Sequence, residues 1–405
     1  MFGALRSRNF ALLLAGSFTA NVGIWMQSVA MGWLIYDLTD SASWLGRVGF
    51  AQSAPTLFFG LLGGALTEHA DRKRVMAGSA LLYAAGALTL ALLTITGRIE
   101  IWMILTLSVV TGTATALYMP VFQASIPSLV PPEHLMNAIS LNSVSFNVAR
   151  VIGPLVAGAV MAIGGTGWCF ATNGVGFLIL VGTIFGLRMP ERGVSARGPL
   201  GRTLLEGFDY ARRHPRLRLL LLMCVTLSLF GFPFVVLMPA LARSVLDLDA
   251  GGFTRLFSAV GVGAVVGGLG LARAGDFERK GELMLVSGAC FGTLLIVVAQ
   301  TTTFFGAALT FLLLGACMIV CIASLNTLVQ VTVSEEMRAR VMSMVTVSLF
   351  GLPTLGGWVL GTIADRVGIP LVLSVGGAMV AAVSAGLLTF APGLRSPLLP
   401  DSARP

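Results

Sequence analysis

Charge is scarce in this chain. Aspartate, glutamate, lysine and arginine make up 11% of its 405 residues, against about 25% in an average soluble domain. Apolar residues make up 56%, and cores in a chain of this size cannot hide that much apolar surface from water. A mean hydropathy of +0.89 agrees. The scarcity excludes a water-soluble globular protein, so a bilayer must cover the surface. Histidine is nearly missing. His69, His134 and His214 fall in polar connections, which removes the usual proton-relay side chain from the apolar runs. Cys169, Cys224, Cys290, Cys317 and Cys321 all sit inside apolar stretches, as small buried hydrophobes and not a disulfide framework. Cys317 and Cys321 stand four apart with no His or carboxylate beside them, so no metal site is expected. There is no P-loop and no nucleophile–base pair at helical spacing, which excludes ATP-driven pumping and makes an enzyme the least supported class.

What remains is a series of long apolar runs, at 10–36, 43–67, 75–97, 101–124, 137–163 and 168–187, then at 219–242, 253–274, 282–300, 303–328, 339–363 and 369–391. Each is long enough to cross about 30 Å of hydrocarbon at about 1.5 Å per residue. The expected fold is all-α and membrane-integral, with twelve transmembrane helices in two six-helix bundles, 1–187 and 219–391. The linker between them, 188–218, includes a short surface helix around LLEGFDYARR. The Pro-rich tail, 392–405, is expected to be disordered. Met1–Arg8 is basic and runs into the first span with no small-residue cleavage site, which reads as a retained first helix. With the amino terminus inside, 20 Lys and Arg residues fall on inner segments and 5 on outer ones, Arg150 lying within a span. Both termini are therefore expected in the cytoplasm. The same bias accounts for a pI near 9.8 without a nucleic-acid partner.

The halves repeat. A shift of 203 residues lays VPPEHLMNAIS (130–140) over VSEEMRARVMS (333–343), Gly153 over Gly356 and Gly158 over Gly361. Duplicated halves imply a site exposed alternately to the two sides by rocking. Acids are absent from mid-span. The nearest are Asp37, Glu68, Asp71 and Asp365, at span ends, and Asp37 is the candidate for proton coupling. The fifth span carries the one deep charge. Arg150 lies 13 residues from the span's start, about 20 Å along its axis, so it faces either a polar cavity or a structural partner. Ser143, Asn147, Arg150, Pro154 and Gly158 share its helical face. Gly153, Pro154 and Gly158 weaken the helical ladder and allow close packing. Ser17, Asn21 and Ser28, with Gln27 adjacent, share a face of the first span, and Thr111, Thr115, Tyr118 and Phe122 one of the fourth. The tenth span offers Thr310, Cys317, Cys321 and Ser324. Each of these is either an interhelical hydrogen-bonding residue or a substrate contact. Trp25, Phe230, Phe232 and Phe234 either stack on a substrate or pack against protein and lipid.

The connection after the second span, GGALTEHADRKR (63–74), resembles the signature loop of the major facilitator superfamily, G-x-L-A-D-R-x-G-R-K. Gly64, Leu66, Arg72 and Lys73 match it, and Glu68 stands at the acid position. His69 and Asp71 depart from it, and the second-half copy has Ala272 at the acid position. ARVIGPLVAG (149–158) looks like the superfamily's antiporter motif, which implies export. NVGIWMQSVAMGWLIYDLTDSASWLG, LNTLVQ (325–330) and ARVMS (339–343) are similar to the enterobactin-exporter-like and drug-efflux branch, with Ile24 where many members carry an acid. The resemblance covers essentially the whole chain. It implies a multi-pass, monomeric secondary exporter of a bacterial cytoplasmic (inner) membrane. That exporter would have lipid and a small amphiphilic compound, siderophore-like or drug-like, as its partners, and the proton gradient in place of a cofactor. The implied substrate residues are Arg150, Asn147, Asn21, Gln27, Tyr118 and Ser143. The implied gating residues are Gly64, Glu68, Asp71, Arg72, Lys73, Gly153, Pro154 and Gly158. A lysophospholipid flippase on the same fold and a non-transporting membrane receptor or scaffold are the rival readings.

Overall fold

The computed structural model describes residues 3–66, 71–187, 208–275 and 279–395, and all of their regular secondary structure is helical. The long helices are α1 (Arg8–Thr39), α2 (Ala42–Leu66), α3 (Arg72–Ile95), α4 (Ile101–Leu129), α5 (Leu135–Gly164) and α6 (Thr166–Gly186). They are followed by α7 (Pro215–Ser244), α8 (Ala250–Ala274), α9 (Lys280–Gln300), α10 (Phe304–Thr332), α11 (Glu335–Val367) and α12 (Ile369–Phe390). Eleven of these, all but α2, are long and apolar enough to cross a membrane among the residues described; α2 adds 25 further residues.

Local chemistry sets the boundaries. Val130 precedes Pro131, and it ends α4 in extended backbone (φ −133°, ψ 152°) because the α conformation is disfavoured before proline. Gly165 (φ 79°) turns the chain between α5 and α6, and Gly368 (φ 90°) between α11 and α12. The two glycines are 203 residues apart, so the repeat extends to the turn that needs a residue without Cβ. Helices α5 and α11 start earlier than the apolar runs predict, at Leu135 and Glu335. Hydropathy marks the hydrocarbon span, whereas the helix continues into its polar ends.

The chain forms two compact units, one of Met1–Gly201 with Asp249–Arg255, the other of Arg202–Leu248 with Leu256–Pro405. In the first, α1 packs on α5 and α6, α3 on α4 and α6, and α2 on α4. Its core includes Phe10, Leu13, Met76, Val121 and Leu180. Phe253 stacks on Trp33 in this unit, with ring centroids 5.7 Å apart. In the second, α9 packs on α10 and α12, and α7 on α11 and α12. Phe234 bridges its layers, 6.0 Å from Phe291 and 6.1 Å from Phe311.

Helix α7 departs from the uniform span expected of it. It opens into a π turn at Leu227–Gly231, with Phe232 N–H donating to the Leu227 carbonyl at 2.8 Å. Pro233 supplies the reason, since it has no N–H for the Leu229 carbonyl and its ring crowds that carbonyl in a regular α-turn.

Candidate functional site

A cavity of about 510 Å³ lies within the first unit, walled by α1, α3, α4, α5 and α6. Interior helices normally close such a space with side chains. Here α4 contains Pro120 and Pro127, the latter on the cavity wall, and α5 contributes Asn142, Ser143 and Asn147. The wall combines aromatic faces with neutral polar groups. Tyr83 stacks on Phe177 at 3.9 Å, and Tyr118 on Phe122 at 5.4 Å. Both pairs line the cavity. Asn147 Nδ2 donates to the Ser143 carbonyl at 2.8 Å, which fixes the amide's orientation on the helix.

Of the six predicted substrate residues, Asn21, Tyr118, Ser143 and Asn147 line this space. Arg150 does not. Its guanidinium carbon sits 5.3 Å from the centroid of the Trp25 ring, and among the described residues it makes no hydrogen bond or ion pair. Trp25 in turn meets Phe146 edge-on at 6.0 Å, and Phe146 lines the cavity. The cation rests against an aromatic pair of which only Phe146 lines the cavity, and its stacking contributes about 0.5–2 kcal/mol. Gln27 also lies off the cavity. It is 2% exposed, and its Oε1 accepts from Asn173 Nδ2 at 2.7 Å, an interhelical tie between α1 and α6. Asp37 is exposed near the carboxyl end of α1, away from the cavity.

The wall also includes Tyr83, Met119, Gln123, Asn142 and Phe146, which sequence reasoning passed over. A signal existed for Tyr83, one of only four tyrosines in the chain and set in an apolar run. It was missed because the cavity helices were inferred from resemblance, which does not include α3.

The candidate gating residues divide. Asp71 is the N-cap of α3, its Oδ1 accepting from Lys73 N–H at 2.8 Å, and it pairs with Arg74 at 3.4 Å. Lys73 Nζ donates to the carbonyls of Phe185 and Leu187, both at 2.8 Å. Carbonyls in the last turn of α6 lack helical partners and carry the negative end of the helix dipole, so a cation belongs there. Arg72 reaches the Ala124 carbonyl on α4 at 3.4 Å. Two basic residues of the loop therefore stitch α3 to α4 and α6 within one unit. Glu68 lies outside the described residues, and Gly64 lies in the part of α2 whose packing is not described. Gly153 marks a close crossing of α5 with α1, where a Cβ would come within 2.5 Å of Trp25 Cβ and 3.0 Å of the Val22 carbonyl. Pro154 is buried beside it. A Cβ on Gly158 would lie 2.6 Å from Thr254 Oγ1, in the same unit.

Comparison with known proteins places this geometry. The profile of the transmembrane secretion effector family matches residues 1–396. The chain is 22% identical over 288 residues to the staphyloferrin A transporter of Staphylococcus aureus, covering 70% of this chain and 72% of that one. It is 23% identical over 285 residues to macrolide efflux protein A of Streptococcus pyogenes, covering 70% of each. It is 26% identical over 280 residues to the enterobactin exporter EntS of Shigella boydii, covering 69% of this chain and 66% of that one. Among solved structures, a bacterial homologue of the lysosomal transporter Spinster, in an inward-facing and unoccupied conformation, superposes with a TM-score of 0.68 at 16% identity. It covers 96% of this chain and 95% of that one. The nucleoside transporter NupG (D323A mutant) gives 0.73 at 14%, over 94% and 99%. These relatives and neighbours are membrane transporters. The chain belongs to the transmembrane secretion effector family, within the major facilitator superfamily.

Proposed function

We propose that this member of the transmembrane secretion effector family exports a small amphiphilic compound, siderophore-like or drug-like, by alternating access. The chain would cross the bacterial inner membrane twelve times, as a monomer with both termini in the cytoplasm. The observation that carries the reading is the cavity of about 510 Å³ whose wall brings together Asn21, Tyr118, Ser143 and Asn147. Its size falls within the range of small-molecule sites, and its mix of apolar faces with a few convergent polar groups is what such sites use. It lies where α3 and α5 begin and α4 ends, which is the cytoplasmic half under the proposed topology, so a substrate enters it from inside. Relatives named for a siderophore and a macrolide support the same class of cargo.

In this mechanism the cavity orients the cargo through Asn21, Asn147 and Tyr118. Arg150, without an anionic partner among the described residues, attracts an acidic group as the cargo moves toward Trp25. Rocking of the halves is driven by the proton gradient, with Asp37 as the coupling acid. Inside-out vesicles enriched in the chain, energised with a proton gradient and given labelled enterobactin or a labelled macrolide, test the proposal. Accumulation above that of control vesicles is expected, falling about tenfold in Asn147→Leu, the equivalent of about 1.4 kcal/mol of cargo binding. Arg150→Leu is expected to slow the anionic cargo more than the macrolide. Failure to accumulate either compound would sink the export reading, and accumulation that an uncoupler leaves unchanged would remove proton coupling.

A further inference from the structure

Amphiphilic character alone does not explain the side-chain amides gathered on the cavity of the first unit. We infer that this cavity takes a peptide-like cargo with at least two consecutive secondary amides, whose N–H and C=O groups pair with Asn21, Gln123, Asn142 and Asn147. The inference rests on reading this cavity as the cargo site.

Side-chain amides are rare in this chain. It has seven Asn and five Gln among 405 residues, yet four of these line one cavity, from α1, α4 and α5. Packing does not gather them, because a carboxamide in an apolar bundle is unfavourable unless its hydrogen bonds are made. Gln27 and Asn173 show the structural solution, bonded to each other at 2.7 Å and away from the cavity. Three of the wall amides do not follow it. Among the described residues Asn21, Gln123 and Asn142 form no hydrogen bond with protein. Asn21 and Asn142 are half-buried with neither amide atom sealed, and Gln123 is exposed. All three are open to a ligand.

Asn147 sets the direction of the exchange. Its Nδ2 donates to the Ser143 carbonyl at 2.8 Å. A carbonyl can only accept, so the nitrogen must face it, and Oδ1 is the atom left for a cargo. The cargo must bring a donor there. The other three amides each offer a donor and an acceptor together, which is the complement of a secondary amide. A cargo built of esters and ethers accepts but cannot donate. On entering the cavity it would leave these oxygens without partners, which is unfavourable.

Spacing sets the number of amides. Asn142 and Asn147 are five residues apart on α5, about 7.5 Å along its axis. Two extended peptide units span about 7 Å. Two consecutive amides laid along α5 therefore reach both residues, while Asn21 and Gln123 approach from α1 and α4.

Three neutral probes test this: dansyl-Gly-Gly-methylamide, its diester analogue with both of those amide N–H groups replaced by oxygen, and dansyl-Gly-methylamide. Binding of each to the detergent-solubilised full chain is read by energy transfer from tryptophan. The diamide is expected to bind about tenfold more tightly than the diester and about threefold more tightly than the monoamide. Asn142→Leu and Gln123→Leu, on different helices, are each expected to weaken the diamide about fivefold and to leave the diester unchanged. Lost packing would weaken both probes alike. Equal affinity for diamide and diester overturns the inference, as does undetectable binding of the diamide. So does a diamide preference unchanged in both variants. A chain that keeps the diamide preference but accumulates no compound in vesicles would fail as an exporter while leaving this recognition intact.

Discussion

The two units cross their first and last helices differently. In the first, α1 runs unbroken over 32 residues, and buried Gln27 takes a hydrogen bond from Asn173 on α6. A shift of 203 residues carries these positions to Phe230 and Gly376. There α7 opens into its π turn, and a Cβ on Gly376 would sit 2.6 Å from the Phe230 carbonyl. In an apolar medium a buried side-chain amide must be paired, and an opened backbone must be covered by close-packed protein. One unit meets the first demand with a second amide, and the other meets the second with a glycine. Duplication has conserved the crossing and left its chemistry free to diverge.

The largest effects are expected where the units still agree. Gly153 on α5 and Gly356 on α11 are equivalent. A Cβ on Gly153 would meet Trp25 Cβ at 2.5 Å and Met26 N at 3.2 Å, and one on Gly356 would meet the Leu229 carbonyl at 2.7 Å. Met26 and Leu229 are themselves 203 residues apart. Valine at either glycine forces backbone from backbone and is expected to cost about 1–3 kcal/mol or more, seen as a lowered midpoint of thermal unfolding in detergent. The comparison breaks if one unit tolerates valine and the other does not.

Much of this scaffold is legible in the sequence, because hydropathy and glycine spacing report backbone demands directly. The apolar runs locate the long helices, and the alignment of Gly153 with Gly356 foretells a shared crossing. The π turn was missed, although Pro233 marks it, because a proline in an apolar run is compatible with a kink, a cap or a bulge until its neighbours are known. The cavity was legible on α1, α4 and α5, where polar residues recur along one face. Helical spacing cannot tell that Gln27, one step from that face, turns instead toward Asn173, since the partner is 146 residues away. Nor does it reveal that Arg150 rests on Trp25. Depth identifies a buried charge as special but leaves its neighbour unnamed.

A smaller effect isolates the polar tie. Gln27→Leu leaves the Asn173 amide buried without its partner and is expected to cost about 1–3 kcal/mol. Asn173→Leu should do the same. The double variant should cost less than the sum, with about 0.5–3 kcal/mol of coupling. Additive losses would mean that the 2.7 Å contact contributes packing only, and that the two crossings differ less than their chemistry suggests.

The smallest effect concerns the chain just before each unit's first helix. Gly3–Arg6 docks on the start of α5: Ala4, fully buried, donates its N–H to Asn137 Oδ1 at 3.0 Å, and Gly3 lies against the His134 ring. Before α7, Tyr210 stacks on His214 at 3.9 Å, and its hydroxyl accepts from Ser334 N–H at the start of α11, at 3.5 Å. Both units thus pin their entry segment to the equivalent connection, the first by the shorter bond. Asn137→Ala is expected to cost about 1 kcal/mol, and Tyr210→Phe less than about 0.5 kcal/mol because its bond is long. Amide hydrogen exchange separates them, with Ala4 exchanging about fivefold faster in the first variant and Ser334 changing little in the second. If Ser334 speeds up as much as Ala4, the second strap is as firm as the first, and the asymmetry between the units is confined to the membrane interior.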